Sequence, residues 1–141
     1  MADALVFGEP LALGLLIGLY ESIIIHRDIT VATHRFGHMV HAFLLSIAFT
    51  FATMNTNFVL GLIPQLQSIP VLGTALGLNI AIGLIAAIKI HAVSKVVKTT
   101  AGATGLGETW FHSILIGGLI AAAPYLFPLI EPVLPGWIKG W

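Results

Sequence analysis

The central apolar stretch of the sequence reads VLGTALGLNIAIGLIAAIKI (residues 71–90) and contains one charged side chain, Lys89. A helix needs about 20 mostly apolar residues to cross the hydrocarbon core of a bilayer, so this stretch has the length and composition of a membrane span. We expect the helix to cross a membrane and to continue into water as far as Lys98, because long basic side chains reach the interface easily.

The composition of the whole chain places it in the same class. Of its 141 residues, 57% are hydrophobic and 9% are charged, and the mean hydropathy is +1.00. These values lie far outside the averages of soluble domains. Six basic residues balance six acidic ones, which gives no reason to expect nucleic acid as a partner. The absence of cysteine excludes disulfides, thiolate metal sites and iron–sulfur clusters.

Three further stretches are long and apolar enough for spans. The sequence therefore predicts an all-α protein, an integral membrane bundle of about four transmembrane helices that form one transmembrane domain over residues 1–141. The expected helices cover about residues 5–25, 36–54, 71–98 and 110–130.

Small residues and prolines indicate where helices meet or bend. Gly14 and Gly18 are four residues apart, and so are Gly73 and Gly77, a spacing that lets another helix approach closely. Association of two protomers along such faces would give a homo-oligomer. Pro124 and Pro128 are expected to kink the second half of the fourth helix.

The distribution of basic residues predicts the orientation in the bilayer. The positive-inside rule places the side with more Lys and Arg in the cytoplasm, which leaves both termini outside. Two alternative topologies are a first helix that lies in the membrane interface and a re-entrant segment over residues 55–66. Lys139 lies on one side of the membrane. The other five basic residues share the opposite side: Arg27, Arg35, Lys89, Lys95 and Lys98.

All six histidines fall at the predicted cytoplasmic end of the bundle. Imidazole binds transition metals and exchanges protons near neutral pH, so this clustering indicates a site. His34, His38 and His41 are spaced i, i+4 and i+7 and occupy a sector of about 60° on a helix. We expect this face to point into the bundle, because a polar ring is costly anywhere else inside a membrane.

The first helix and its connection bring acidic groups to the same end. Glu21 lies near the end of the first helix, and His26 and Asp28 follow it. An ionisable side chain inside a membrane costs about 2.5–3.5 kcal/mol at the bilayer centre, so Glu21 is expected to have a partner or to face water. It can be a metal ligand, a proton acceptor, or a structural contact to a neighbouring helix.

The second half of the chain contributes His91 and His112, with Glu108 one turn before His112. A site without thiolates suits a transition metal ion, with zinc or iron favoured, and bis-histidine haem is an alternative. Side chains from several helices can converge on such an ion in a bundle. The predicted metal ligands are His34, His38, His41, Glu21, His26, Asp28, His91 and His112.

Three functions remain open from the sequence. The first is a carrier or channel that binds a divalent metal or a proton at the cytoplasmic face. The second is a membrane-embedded metalloenzyme or redox subunit, and no catalytic residue can be assigned to it. The third is an accessory subunit of a larger membrane complex. In all three cases we expect the chain to be embedded in a lipid bilayer.

Overall fold

The computed structural model describes residues 5–28, 32–100 and 110–139, and these residues fold into helices without a strand. The side chains of residues 25–28, 32–35, 38 and 93–100 lie outside the description. The α-helices are α1 (Gly8–Asp28), α2 (Ala32–Met54), α3 (Thr56–Leu62), α4 (Ala75–Thr100), α5 (Trp110–Ala121) and α6 (Ala123–Ile130). Short 3-10 helices follow at Pro64–Ser68, Glu131–Val133 and Gly136–Ile138.

Helices α1 and α2 form an antiparallel pair held at a glycine face. A Cβ atom on Gly14 would lie 2.7 Å from Cα of Ile47, and one on Gly18 would lie 3.1 Å from Cα of Phe43. A side chain on Gly14 would force the two backbones apart, and one on Gly18 would make an unusually tight contact. The close approach predicted for Gly14 and Gly18 is confirmed, and it joins two helices of the same chain.

Helices α4 and α5 form a second antiparallel pair with the same kind of contact. A Cβ atom on Gly83 would lie 2.5 Å from the carbonyl oxygen of Gly117. The expected pair Gly73 and Gly77 is wrong as a helix-packing face. Gly73 precedes α4, and a Cβ atom on Gly77 would meet the carbonyl of Val71 in the turn before the helix.

Each helix pair ends in a sharp bend. The axis turns by 89° between α2 and α3, where Asn55 interrupts the helix, and by 72° between α5 and the helices that follow Ala122. Pro124 lies just after the second bend, which agrees with the bend expected there. The two halves of the chain therefore repeat one arrangement: two long helices, then a short one across their end.

The two ends of the bundle can be named from contacts between helices. The backbone N–H of Val6 donates to Oδ1 of Asn55 at 2.9 Å, which places the start of α1 beside the end of α2. Thr53 near the end of α2 bonds to Ile120 near the end of α5, so α2 and α5 run parallel. We call this the Asn55 end, and the opposite end, where α4 contacts the start of α5, the His91 end.

Apolar side chains from both helix pairs form the core. They belong mainly to α1, α4 and α5, with Phe127 from α6 closing the Asn55 end. The core residues include Leu13, Ile17, Leu78, Ile82, Ile116 and Ile120.

Helix α4 is long and apolar enough to cross a membrane, over Ala75–Ala92. Two further crossings qualify if each bent pair, α2 with α3 and α5 with α6, counts as one span. Among the described residues the structure thus gives one to three candidate spans, and the crossing by α1 stays a prediction from the sequence.

Candidate functional site

Glu21 is the buried acidic residue at the centre of the candidate site. Its side chain is 2% exposed on the face of α1 that packs against α2. The hydroxyl of Ser46 on α2 donates a hydrogen bond to Glu21 Oε2 at 3.1 Å. The neighbouring Ser22 donates instead to the carbonyl of Gly18 in its own helix, at 2.8 Å. Glu21 is therefore the side chain of this turn that reaches across to the next helix.

The Glu21 carboxylate lies nearer the Asn55 end of the bundle than the backbone of Glu21 does. Gly18 packs against Phe43 in the antiparallel pair, so the backbone of Glu21 lies roughly opposite Val40. Ser46 is six residues further along α2, about 9 Å at 1.5 Å per residue. Helical side chains lean toward the start of their helix, which lets the carboxylate of α1 reach back to this level.

Three hydroxyl groups continue from Glu21 along the inner face of α2, and we call them the hydroxyl row: Ser46, Thr50 and Thr53. Their spacing of i, i+4 and i+7 puts them on one face, and each is at most 1% exposed. Thr53 Oγ1 donates toward the carbonyls of Thr50 and of Ile120, each at 3.0 Å. The far end of the row is thus tied to α5.

Two buried polar atoms between the helices have no hydrogen-bond partner among the described residues. They are Oγ1 of Thr50 on α2 and Oδ1 of Asn79 on α4. Leaving such a group unpaired costs about 1–3 kcal/mol, so buried polar atoms nearly always have a partner in native proteins. Both atoms can therefore accept a bond from a water molecule or contact a cation.

At the His91 end, a second buried polar cluster lies between α4 and α5. Nδ1 of His91 lies 3.4 Å from the hydroxyl oxygen of Ser113, and both side chains are buried. The indole of Trp110 stacks on the His91 ring, with ring centroids 3.7 Å apart and planes 18° from parallel. His112, beside Ser113 in α5, is 5% exposed.

The two clusters lie at about the same depth in the bundle. Thr53 and Ile120 touch, and α2 and α5 run parallel. Counting seven residues back from each gives Ser46 on α2 and Ser113 on α5, about 10 Å nearer the His91 end in both helices. The carboxylate bound by Ser46 and the ring beside Ser113 are thus at one level of the structure.

The expectation that the His34, His38 and His41 face points into the bundle is wrong for His41. His41 is exposed, whereas its neighbour Ala42 is 4% exposed and begins the inner face that continues with Ser46. Small side chains allow the closest approach between helices, so they occupy the interior.

The other predicted ligands divide into two groups. Glu21, His91 and His112 are buried. The side chains of His26, Asp28, His34 and His38 lie outside the described residues, and so does Glu108. Among the side chains that are described, no three His, Asp or Glu residues come together in a group that could hold a metal ion. A zinc, iron or haem site therefore stays a prediction.

Sequence reasoning missed the hydroxyl row and Asn55. Asn55 accepts from the backbone N–H of Val6 and donates to its carbonyl, with both bonds at 2.9 Å. The sequence feature that could have revealed the hydroxyl row is the recurrence of Ser and Thr at helical spacing within an otherwise apolar segment.

Comparisons of the chain with protein-family models, with curated proteins and with solved structures each return no match. The function has to be argued from the buried polar residues themselves.

Proposed function

We propose that this chain is a small multi-pass membrane protein that binds a cation, a proton or a divalent metal ion, at Glu21 and carries it across the bilayer. The observation that supports this most is the position of Glu21, which is 2% exposed and bonded to Ser46 of the neighbouring helix. An acidic side chain inside a membrane is expensive, and in transporters it typically marks an ion pathway.

The proposal includes an arrangement in the membrane. Helices α1 and α4 and the two bent pairs, α2 with α3 and α5 with α6, each cross the bilayer, both termini lie outside, and the His91 end faces the cytoplasm. The excess of basic residues at that end supports this orientation. Exposed apolar side chains such as Leu15 and Leu84 contact lipid or a second copy of the chain.

The burial of the hydroxyl row favours a carrier or a gated pathway. Ser46 and Thr50 are both 0% exposed, so water does not reach them in this conformation. An ion can pass only if the helices rearrange, as in carriers that open to one side at a time.

The metal version of the proposal needs ligands from several helices. Glu21, His91 and His112 carry one carboxylate and two imidazoles, groups that suit zinc or iron, but they do not form one group in this conformation, so the helices would have to rearrange to bring them together. Zinc is usually held by four ligands, so further ligands would have to come from His26, Asp28, His34 or His38.

Flux into liposomes tests the proposed function. The purified protein, without a histidine tag, is reconstituted with a pH-sensitive dye or a zinc-sensitive dye inside the vesicles. We expect one of the two ions to enter faster than in empty liposomes, and Glu21→Gln to abolish the difference. Glu131→Gln, at an exposed acidic residue, is the matched control and should behave as the wild type.

Two results would overturn this proposal. One is entry of both ions at the rate of empty liposomes, with protein that is helical and monodisperse. The other is unchanged flux in Glu21→Gln. Either would favour the accessory-subunit alternative.

A further inference from the structure

We propose that a groove between α1 and the 3-10 helix Gly136–Ile138 binds one acyl chain of a phospholipid from the leaflet at the Asn55 end. We call it the α1 groove. The inference uses the membrane arrangement proposed above, with α1 as a span, and does not depend on which ion is carried. It follows from the lining, the width and the position of the groove.

The α1 groove is a half-open cavity of about 200 Å³. Helix α1 forms one wall, and the 3-10 helix, which packs against α1, forms the other. The residues of the α1 wall are spaced i, i+3, i+4 and i+7, so they form one stripe along the helix. The six lining residues are Gly8, Leu11, Ala12, Leu15, Trp137 and Ile138.

The lining of the α1 groove favours a hydrocarbon ligand. None of the six lining residues carries a charge, and the indole N–H of Trp137 is their only polar side-chain group. A polar ligand in the groove would lose its hydrogen bonds to water and find at most one new side-chain partner, which is costly. Leu11 and Leu15 are exposed, so an apolar ligand would cover apolar surface that the fold leaves open.

The width of the α1 groove fits a single chain and excludes a helix. From Gly8 to Leu15 the wall is about 10 Å long, at 1.5 Å per residue. A volume of about 200 Å³ over that length corresponds to a width of roughly 4–5 Å. Carbon atoms in contact lie about 3.5–4.0 Å apart, so one row of CH2 groups fills this width. A helix is about 10–12 Å across with its side chains, so a second copy of the chain cannot place one between the walls.

The position of the α1 groove brings it into contact with lipid chains. It follows the first two turns of α1, and in the proposed arrangement these turns lie in the leaflet at the Asn55 end. The hydrocarbon of one leaflet is about 15 Å thick, half of the bilayer core, so a groove of about 10 Å covers most of that depth. Acyl chains run across the leaflet as a spanning helix does, and the groove therefore has the direction of a chain.

The ends of the lining suit a phospholipid headgroup. Trp137 belongs to the residue type that collects at membrane interfaces, with its ring in lipid and its N–H toward water. Lys139 follows Ile138 directly, and Glu9 follows Gly8. A zwitterionic headgroup offers a phosphate to the lysine ammonium and an amine to the carboxylate. We therefore expect a zwitterionic phospholipid, whose phosphate the long side chain of Lys139 can reach.

The test is native mass spectrometry of the protein, stripped of lipid in detergent and titrated with dioleoyl phosphatidylcholine. We expect saturable binding of one lipid per chain. Ala12→Phe fills the α1 groove and should weaken binding at least tenfold. Ala75→Phe, at an exposed alanine at the start of α4, is the matched control and should bind as the wild type. Lys139→Gln should weaken binding severalfold, and unchanged binding would overturn the headgroup contact.

The other outcomes decide the inference as a whole. Equal binding in the wild type and in a folded Ala12→Phe variant overturns it, and so does a wild type that binds no lipid. A wild-type dimer that Ala12→Phe turns into a monomer, without bound lipid in either, would assign the groove to a second copy. If Ala12→Phe does not fold, Trp137→Ala removes a wall residue that is 71% exposed and is judged by the same criteria.

Failure of this inference can be told apart from failure of the proposed function. Lipid binding is measured in detergent, without an ion gradient. Absence of ion flux in liposomes therefore overturns the proposed function and leaves the lipid site standing. Ion flux that depends on Glu21, in a protein that binds no lipid at the α1 groove, overturns this inference alone.

Discussion

Ser46 and Glu21 join α2 to α1 through a buried hydrogen bond of 3.1 Å between the serine hydroxyl and Oε2 of the carboxylate. The bond joins two helices that also meet at a glycine face. The function proposed for the protein depends on the position of Glu21.

Removal of the Ser46 hydroxyl should destabilise the helix pair modestly. Hydrogen bonds between membrane helices contribute about 0.6 kcal/mol on average, and bonds to charged groups contribute more, so we expect Ser46→Ala to cost about 1 kcal/mol. Unfolding in mixed micelles, combined with Glu21→Leu in a double-mutant cycle, measures the coupling. Ser68→Ala, at an exposed serine, is the control. Additive effects of the two substitutions would contradict the bond.

The contact between α4 and α5 predicts a large difference between two adjacent glycines. A Cβ atom on Gly117 would clash with the carbonyl of Gly83, whereas one on Gly118 would meet nothing within 4 Å. Gly117→Ala should lower the free energy of unfolding by about 1–3 kcal/mol, the usual cost of overpacking. Gly118→Ala should be neutral or slightly stabilising, because alanine favours a helix over glycine. Equal effects in the unfolding measurement would refute this packing.

The stacking of Trp110 on His91 predicts a shielded imidazole. Diethyl pyrocarbonate, followed by mass spectrometry, should modify the exposed His41 quickly and His91 slowly. Trp110→Ala should accelerate modification of His91 and leave the rate at His41 unchanged. If His91 reacts as fast as His41 in the wild type, the arrangement at the His91 end is incorrect.

The orientation in the membrane can be tested with single cysteines, since the natural sequence contains none. Gln65→Cys in the second connection should react with a membrane-impermeant maleimide added to intact cells. Lys95→Cys should react only after the cells are opened, because the basic residues are expected in the cytoplasm. The reverse pattern would place the His91 end outside.

The helical class and the first glycine contact could be predicted because they depend on local features. Apolar length indicates membrane helices, and Gly14 with Gly18 marks a close approach. The end of α1 was predicted at Ile25, but the helix continues to Asp28. Residues 26–28 contain polar side chains but neither glycine nor proline, so no helix-breaking residue marks an end at Ile25.

The inner face of α2 could not be predicted in the same way. The histidine spacing suggested that His41 points inward, but packing places the smaller Ala42 and Ser46 there. A break at Asn55 was expected only in the alternative with a re-entrant segment over residues 55–66, and α3 follows there at 89° to α2. The orientation of a helix about its axis depends on its partners, and a single sequence does not contain that information.

Infrared difference spectroscopy of the reconstituted protein tests most directly whether Glu21 binds and releases a cation. We expect a change of pH or the addition of zinc to shift a carboxyl band, and this shift should be lost in Glu21→Gln and kept in Glu131→Gln. A spectrum that is identical in the wild type and in Glu21→Gln under every condition would contradict the account.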